Sequence, residues 1–500
     1  MKRFTRALGS YVDDALEHWA AVKPEATSLF AGEHALSYGI LNEKVQALAV
    51  ELQRRGVAPG KHVATLLDHG INMLISAMAV LRAGAVLVPV HPRYHPDIVR
   101  HILEDAEIRL LISRTATASR IGFSPVLDPD SFPEIPQEPL REAPRRPESL
   151  AVLFYTSGST GRPKGVMISH EGLMHGIDSV CSYLPLSGQD RLGAVLPMSF
   201  DAGFNFVAAG LHAGAQLDLL TYVFPRSLAD ALASRGITGI LAVPQIFRAL
   251  TEAKDVPLPK MQFCASTGGR MDPMVVDELQ ALMPEMRFWV MYGLTEAFRA
   301  TALHPNDFPD RRSSIGKPIP HAYVRILRED GTAADPFEPG EIAQTGPLMG
   351  LGYWKAPALT AERYPPLPQA FGDLPFEKAV RSGDLGWQDD QGFFYFSGRK
   401  DRMIKSRGFR ISPEEIEKAL LVHAGTGSVY VAGVEDPVQG QRIVAFLETD
   451  GRDLPEDASL IAALRPHLSS FMLPDEFRRV QRFPLNSNGK IDGAKLLSIT

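Results

Sequence analysis

The sequence predicts a large α/β domain followed by a small α+β unit, and three observations lead there. Strand-like and helix-like runs alternate along most of the chain. Several apolar runs stop at clusters of glycine and small hydroxyl residues, as strands of α/β proteins do where ligands gather at their carboxyl ends. With 500 residues the chain is also too long for one hydrophobic core, so at least two domains are expected.

From Ser37 to Gly56, the residues Leu41, Val45, Leu48 and Leu52 recur at helical spacing, with Ser37 able to cap the start and Gly56 to close the end. His62 to Leu67 then reads as a strand, Asn72 to Leu81 as a helix, Ala85 to Val90 as a strand, Asp97 to Leu103 as a helix and Ile108 to Ser113 as a strand. Between them, the two prolines of His91-Pro92-Arg93-Tyr94-His95-Pro96 argue for a turn rather than a metal site. A proline-rich connector, Pro125 to Pro147, is expected to have no catalytic role and delivers the chain to a buried strand at Ala151 to Tyr155. Further strands are expected at Ile240 to Val243, Met261 to Ala265 and Arg287 to Met291. The second of these runs into Ser266-Thr267-Gly268-Gly269, and the third into Tyr292-Gly293-Leu294-Thr295-Glu296. A hairpin at Asp389 to Gly392 is followed by Ser397 to Gly408, a charged, glycine-flanked piece that looks like a linker. The α+β unit beyond it comprises a helix from Ser412 to Leu420 with Pro413 in its first turn and Glu415 at the capping-box position, a strand Val429 to Val434, a helix near Ala458 to Leu468, and a turn at Asn486 to Lys490.

Composition narrows the function classes. A hydrophobic content of 45% with 22% charged residues is that of a globular protein, and a net charge of -6 disfavours a nucleic-acid partner. The two cysteines, Cys181 and Cys264, cannot build a disulfide framework and point to a reducing compartment. Asp13, Asp14 and Glu17 interrupt any signal-peptide apolar stretch, and no run approaches the roughly 20 apolar residues of a membrane span, so a cytoplasmic protein without membrane contact is expected.

The most informative stretch is Thr156-Ser157-Gly158-Ser159-Thr160-Gly161-Arg162-Pro163-Lys164. Its glycines allow backbone N–H groups to converge, its hydroxyls add donors, and Lys164 adds a positive charge suited to a polyphosphate. A flexible Gly/Ser linker would not directly follow a buried strand or carry such a lysine. Arg162 and Pro163 separate the last glycine from the lysine, so the Walker-type order is absent.

Taken together and in order, the motifs at 156–164, 266–269, 292–296, Ser382-Gly383-Asp384-Leu385-Gly386 and Asn486 to Lys490 resemble the adenylate-forming superfamily of acyl-CoA synthetases, nonribosomal-peptide adenylation domains and firefly luciferase. The resemblance covers Leu16 to Asp492 and implies that superfamily's fold, with an ATP- and acid-binding domain over 1–400 and a mobile C-terminal domain over 401–500 hinged at Asp401. It implies an AMP-forming acid–thiol ligase: a carboxylate attacks the α-phosphate of ATP, and a thiol then displaces AMP. By the family pattern, Thr156, Ser157, Gly158, Ser159, Thr160, Gly161 and Lys164 hold the β- and γ-phosphates, Thr295 lies beside the α-phosphate and Glu296 holds Mg2+. Tyr292 lies against adenine with the Gly268 and Gly269 backbone, Asp384 accepts from the ribose hydroxyls assisted by Arg399, and Lys490 is the mobile catalytic lysine. Taken singly, Asp384 can start a turn, Glu296 can be a charge at a helix start and Lys490 can be a solvated lysine.

In the amino-acid-activating branch an aspartate after an aromatic residue binds the substrate ammonium, and Phe200-Asp201 fits that pattern. Asp201 can instead cap a helix beginning at Ala202. By the same resemblance Asn205, Leu241, Thr267, Met291, Arg299 and Ala300 line the acid pocket. The Arg299 guanidinium can pair with a second carboxylate on the substrate, or with Asp201 itself. The run Met291 to Arg299 with Ile315 to Pro320 looks like the acyl-CoA ligase branch associated with exosortase systems. The expected acceptor is CoA or a phosphopantetheinyl carrier protein acting in trans. Fatty- or dicarboxylic-acid ligation, luciferase-like oxygenation and a catalytically silent nucleotide-binding module are the other readings, although a silent module is expected to lack one of Lys164, Glu296, Asp384 and Lys490.

Overall fold

Alternating apolar runs and amphipathic helices produce parallel strand pairing, since each parallel neighbour needs a crossover. The computed structural model describes residues 9–136, 138–157, 163–221, 225–253, 261–406, 409–423, 428–436, 440–468, 470–486 and 490–499. Packing divides the chain into two compact units, Met1–Arg325 with Ala343–Val380, and Ile326–Ile342 with Arg381–Thr500.

In the first unit, one sheet runs from edge to edge as Lys317–Pro318, Thr301–Leu303, Arg287–Tyr292, Phe263–Ser266, Gly239–Ala242, Arg191–Ala194, Gln216–Leu219, Thr27–Ala31 and His34–Ser37. The stretch of this sheet from Arg287–Tyr292 to Thr27–Ala31 is parallel, with antiparallel strands at both edges. A second sheet has the order Gly352–Tyr353, Pro163–Ser169, Leu150–Ser157, Val86–Pro89, His62–Leu66, Leu110–Ser113 and Val126–Leu127. Every residue of His62–Leu66, Val86–Pro89 and Leu110–Ser113 is buried, as expected of strands covered on both faces. The helix Tyr38–Arg54 starts where Ser37 Oγ accepts from the Ile40 amide at 3.3 Å, and it buries Leu41, Val45, Leu48 and Leu52.

One expectation changes here, and the connector gains a packing role that the sequence did not show. The strand at Ala151 runs on to Ser157, and Pro163–Ser169 is a second strand antiparallel to it that places Lys164 opposite Thr156, so Thr156, Ser157 and Lys164 lie in strands rather than in a loop. The proline-rich connector is a packing element. Its Arg141 amide and carbonyl bond to the Gln53 side chain at 3.0 Å each, and its Arg145 reaches Asp13 Oδ1 at 2.5 Å. Asp13 also pairs with buried Arg82 at 3.3 Å.

In the second unit, Val380–Gln388 and Phe394–Arg399 form the expected hairpin around Asp389, and Trp387 stacks on Tyr395 with centroids 4.0 Å apart. The stretch Ser397 to Gly408 is not a linker over its described part. It contains the end of that hairpin, a 3-10 turn Lys400–Arg402 and a strand Ile404–Ser406. One of the charges that suggested a solvated piece is consumed in packing: Arg402 binds Glu417 at 2.7 Å, Glu414 at 3.0 Å and the Val431 carbonyl at 3.0 Å. The helix Pro413–His423 covers a sheet ordered Phe409–Ile411, Ile404–Ser406, Gly440–Glu448, Val429–Asp436, with Glu476–Val480 pairing parallel to Gly440–Glu448. Among the described residues, no helix is long and apolar enough to cross a membrane.

Removing one member of a buried ion pair leaves an uncompensated charge, which costs about 3–5 kcal/mol. Asp13→Ala is therefore expected to lower the melting temperature of the first unit by many degrees, whereas Arg54→Ala, at an exposed pair with Glu51, shifts it by about a degree or less. Differential scanning calorimetry of the two variants checks this.

Candidate functional site

Parallel pairing in register brings the motifs together. Leu241 pairs with Ala265, Ala265 with Trp289 and Ser266 with Val290, so Thr267 and Tyr292 lie at the carboxyl ends of neighbouring strands, where α/β proteins bind ligands. Gly268 has φ +79°, a conformation glycine adopts without strain, and the Gly268-Gly269 backbone lies against Val243 and Pro244. At Gly293 an added Cβ would come within 2.5 Å of the Phe298 carbonyl oxygen, so the chain doubles back closely there. The Ala300 amide closes this turn on the Tyr292 carbonyl at 2.9 Å.

Thr295–Ala297 is a single 3-10 turn, too short to be the helix start that an acidic N-terminal charge would serve. The Tyr353 hydroxyl donates to Glu296 Oε1 at 2.6 Å, while the Gly350 amide and the Tyr364 hydroxyl reach the Glu296 carbonyl at 2.8 and 3.1 Å. Burial, and then the Glu296 carboxylate, hold both phenols well above their usual range, so they remain donors. A carboxylate oriented in this way is a hard oxygen ligand that fits Mg2+. Among the described residues, no cluster of three or more His, Cys, Asp or Glu side chains could hold a metal on its own, and Mg2+ characteristically completes its shell with waters and substrate phosphates.

The residues expected to read the acid come from three elements. The helix Asp201–Ala213 begins at Asp201, with Phe200 as its N-cap, so Asp201 is the first helical residue rather than the cap of a helix starting at Ala202. Phe200 is stacked on His91, with centroids 5.3 Å apart and planes at 22°. One turn along the helix from Asp201, Asn205 is 1% exposed, and both its amide nitrogen and oxygen are buried without a hydrogen-bond partner. Leu241, Thr267, Met291 and Ala300 are all buried. Met291 Sδ accepts from the Tyr183 hydroxyl at 3.1 Å; burial raises that phenol to about 12, and the Arg299 guanidinium draws it back down. Phe298 has φ +63°, a strained value for a side chain of its size, and Gln344 Nε2 clamps the carbonyls on either side, Ala297 at 3.1 Å and Arg299 at 2.9 Å. This reversal turns Arg299 into the interior, where it is 4% exposed.

In the second unit, Asp384 and Arg399 face each other across the hairpin, Nη1 to Oδ1 3.4 Å, and the Ser382 hydroxyl accepts from the Asp384 amide at 3.0 Å. Lys490 is exposed, its carbonyl accepts from the Asn486 amide at 2.7 Å, and the adjoining Ile491 packs on a small cluster of Val444, Phe446, Phe483 and Leu496. Asp401 lies in the 3-10 turn Lys400–Arg402. Gly158, Ser159, Thr160 and Gly161 lie outside the described residues, and Ser157 is described only as the last residue of its strand.

Tyr353, Tyr364, Tyr183, Gln344 and His91 did not stand out in the sequence. Isolated tyrosines and a glutamine carry no motif, and His91 sits in a stretch that reads as a turn. Only the pairing of distant strands shows what they touch.

A family model described as AMP-binding enzyme matches residues 16–354, and one described as AMP-binding enzyme C-terminal domain matches residues 415–490. Tyrocidine synthase 3 of Brevibacillus parabrevis is 30% identical over 486 residues, covering 95% of this chain and 7% of that protein. Tyrocidine synthase 1 of the same organism is 29% identical over 498 residues, covering 97% of this chain and 45% of that protein. The chain thus spans less than half the length of these relatives. An o-succinylbenzoate CoA synthetase from Bacillus subtilis, solved with an acyl-adenylate intermediate, shares the fold with a TM-score of 0.85 at 23% identity, covering 96% of this chain and 97% of that one.

His91 supplies a pH test. Burial, reinforced by Arg93, pushes its imidazole down to about 4, and its Nδ1 accepts from the Arg93 amide at 3.1 Å, which requires the neutral ring. The unfolded chain takes up this proton near the ordinary value of about 6.5 and the folded chain only near 4. Stability from the neutral ring is therefore complete above about 6.5 and lost as pH falls toward 4. His91→Phe is expected to flatten the fall in melting temperature across that window.

Proposed function

The chain belongs to the AMP-binding enzyme family as an AMP-forming, adenylate-forming ligase that uses ATP and Mg2+, and from that premise we propose that it activates an amino acid and passes it to a thiol, that of CoA or of a carrier protein's phosphopantetheine. The observation that carries the amino-acid reading is the start of the helix Asp201–Ala213. Its first residue is a partly buried carboxylate, next to a ring stacked on His91, with the unsatisfied Asn205 amide one turn further in. A carboxylate there suits an ammonium group.

Both reactants of the first half-reaction are anions, so the protein must position them and neutralise charge. In this reading Thr156, Ser157, Gly158, Ser159, Thr160, Gly161 and Lys164 hold the pyrophosphate end of ATP, and Thr295 donates near the α-phosphate. Glu296, oriented by Tyr353, holds Mg2+, which when bound offsets phosphate charge. Tyr292 and the Gly268-Gly269 backbone take the adenine, Asp384 with Arg399 takes the ribose hydroxyls, and Lys490 bridges the substrate carboxylate and the α-phosphate oxygen. Asp401 is the hinge between a domain over 1–400 and one over 401–500, and the 3-10 turn Lys400–Arg402 supports that role, since hinges act at a few residues between elements. A carrier protein in trans and a cytoplasmic location belong to the same reading.

Substrate-dependent pyrophosphate release across amino acids, diacids and fatty acids, with CoA and with a phosphopantetheinylated carrier protein, tests the proposal. Turnover with fatty acids alone would overturn the role of Asp201. Lys490→Ala is expected to lower adenylate formation by about 100-fold or more while leaving thiol transfer from a supplied acyl-adenylate within a few-fold of the parent. Equal loss of both half-reactions in single-turnover assays would remove Lys490 from its assigned step.

A further inference from the structure

Two buried carboxylates of the first unit are each matched by two arginines, and buried Asp190 accepts from Ser187 and Thr238. Asp218 is 0% exposed and binds Arg191 at 2.6 Å and Arg235 at 2.9 Å, and Asp13 is matched by Arg82 and Arg145. Arg299 departs from this pattern. It is 4% exposed, its Nε is buried without a hydrogen-bond partner, and among the described residues no carboxylate lies within ion-pairing distance of its guanidinium. The pair with Asp201 that the sequence left open is not formed.

The cost of this arrangement is considerable. Taking a guanidinium out of water carries a large desolvation penalty, and the Phe298 ring, whose centroid is 5.4 Å from Cζ, offsets only part of it. The surrounding backbone holds the side chain inward regardless, through the strained Phe298 and the Gln344 clamp. A second buried group among the residues expected to read the acid, Asn205, is also unsatisfied. Asp201, Asn205 and Ala209 share one face of their helix, and the Ala209 carbonyl accepts from Cys181 Sγ at 3.7 Å, two residues before Tyr183 in the neighbouring helix His170–Tyr183. The helix that carries Asn205 packs against His170–Tyr183, whose last residue, Tyr183, bonds to Met291 and feels the Arg299 charge. A neutral aliphatic side chain entering the acid pocket would leave the guanidinium and the amide unpaired; a carboxylate would satisfy the first directly and could accept from the second.

We propose that the substrate carries a second carboxylate which pairs with Arg299 and accepts from the Asn205 amide, so that, with Asp201 on the ammonium, the class activated is an acidic amino acid. The inference rests on the reading above for the ammonium and on Arg299 and Asn205 for the distal acid. Arg299 is thus a specificity-determining residue.

Pyrophosphate release is measured with aspartate, glutamate and 2-aminoadipate, with asparagine, glutamine and leucine, and with succinate and glutarate. The parent enzyme is expected to prefer one acidic amino acid over its neutral counterparts by on the order of 100-fold or more in kcat/KM. Arg299→Met is expected to lose about 100-fold with that acid, to shift the preference toward the neutral amino acids, and to melt at or above the parent temperature, because it removes an uncompensated charge. Preference of the parent for neutral amino acids overturns the inference and leaves the Asp201 reading standing. Preference for succinate or glutarate overturns the Asp201 reading and leaves Arg299 as an acid reader. Melting of Arg299→Met well below the parent, with equal loss on all substrates, overturns the inference in favour of a structural arginine. Release with none of these acids overturns both.

Discussion

The in-register parallel pairing of Gly239–Ala242, Phe263–Ser266 and Arg287–Tyr292 is the constraint on which the candidate site depends. Parallel hydrogen bonding makes neighbouring strands point the same way, so their carboxyl ends open onto one edge. Leu241, Thr267 and Met291 are separated by dozens of residues in the chain, yet they reach that edge because the strands before them are aligned. A slip of one residue in the middle strand would exchange its inward and outward faces, turning buried Cys264 and Ala265 over and carrying Thr267 with them.

Electrostatics divides the first unit into settled and unsettled regions. Where structure alone is at stake, buried charge is closed off: Asp13 and Asp218 each hold two arginines, and the imidazoles of His91 and His170 are kept neutral by burial. Around the acid pocket the rule lapses, with an unpaired guanidinium at Arg299 and an unpaired amide at Asn205. Buried polar groups without partners cost about 1–3 kcal/mol each, and more when charged, which is a cost that a ligand can offset and packing cannot.

Much of the fold was legible because its signals are local. Ser37 as an N-cap and the helical spacing of Leu41, Val45, Leu48 and Leu52 are properties of a single segment, and the helix Tyr38–Arg54 has both. The short strands were legible as uninterrupted apolar runs. Ser397 to Gly408 was misread because its charges look solvated in sequence, whereas Arg402 is neutralised by Glu414 and Glu417, residues on the next helix. The return strand Pro163–Ser169 was hidden by its proline and glycine, which read as loop; Gly352–Tyr353 pairs with it only at Val166 and Met167, so at its first residue a proline costs no ladder bond on that side.

The sequence by itself determined the reaction class. The hydroxyl- and glycine-rich stretch at 156–164, the Tyr292-Gly293-Leu294-Thr295-Glu296 run, Asp384 and Lys490 are short patterns whose residue types already state what chemistry they suit. It also put Arg299 among the residues facing the acid, and left two partners for it. Only the tertiary structure removed Asp201 as a partner, because whether a guanidinium is paired depends on the positions of every neighbouring chain segment. The reversal at Phe298, the clamp from Gln344 and the burial beside Tyr183 are each set by contacts between residues far apart in sequence, and together they leave Arg299 with no carboxylate partner among the described residues.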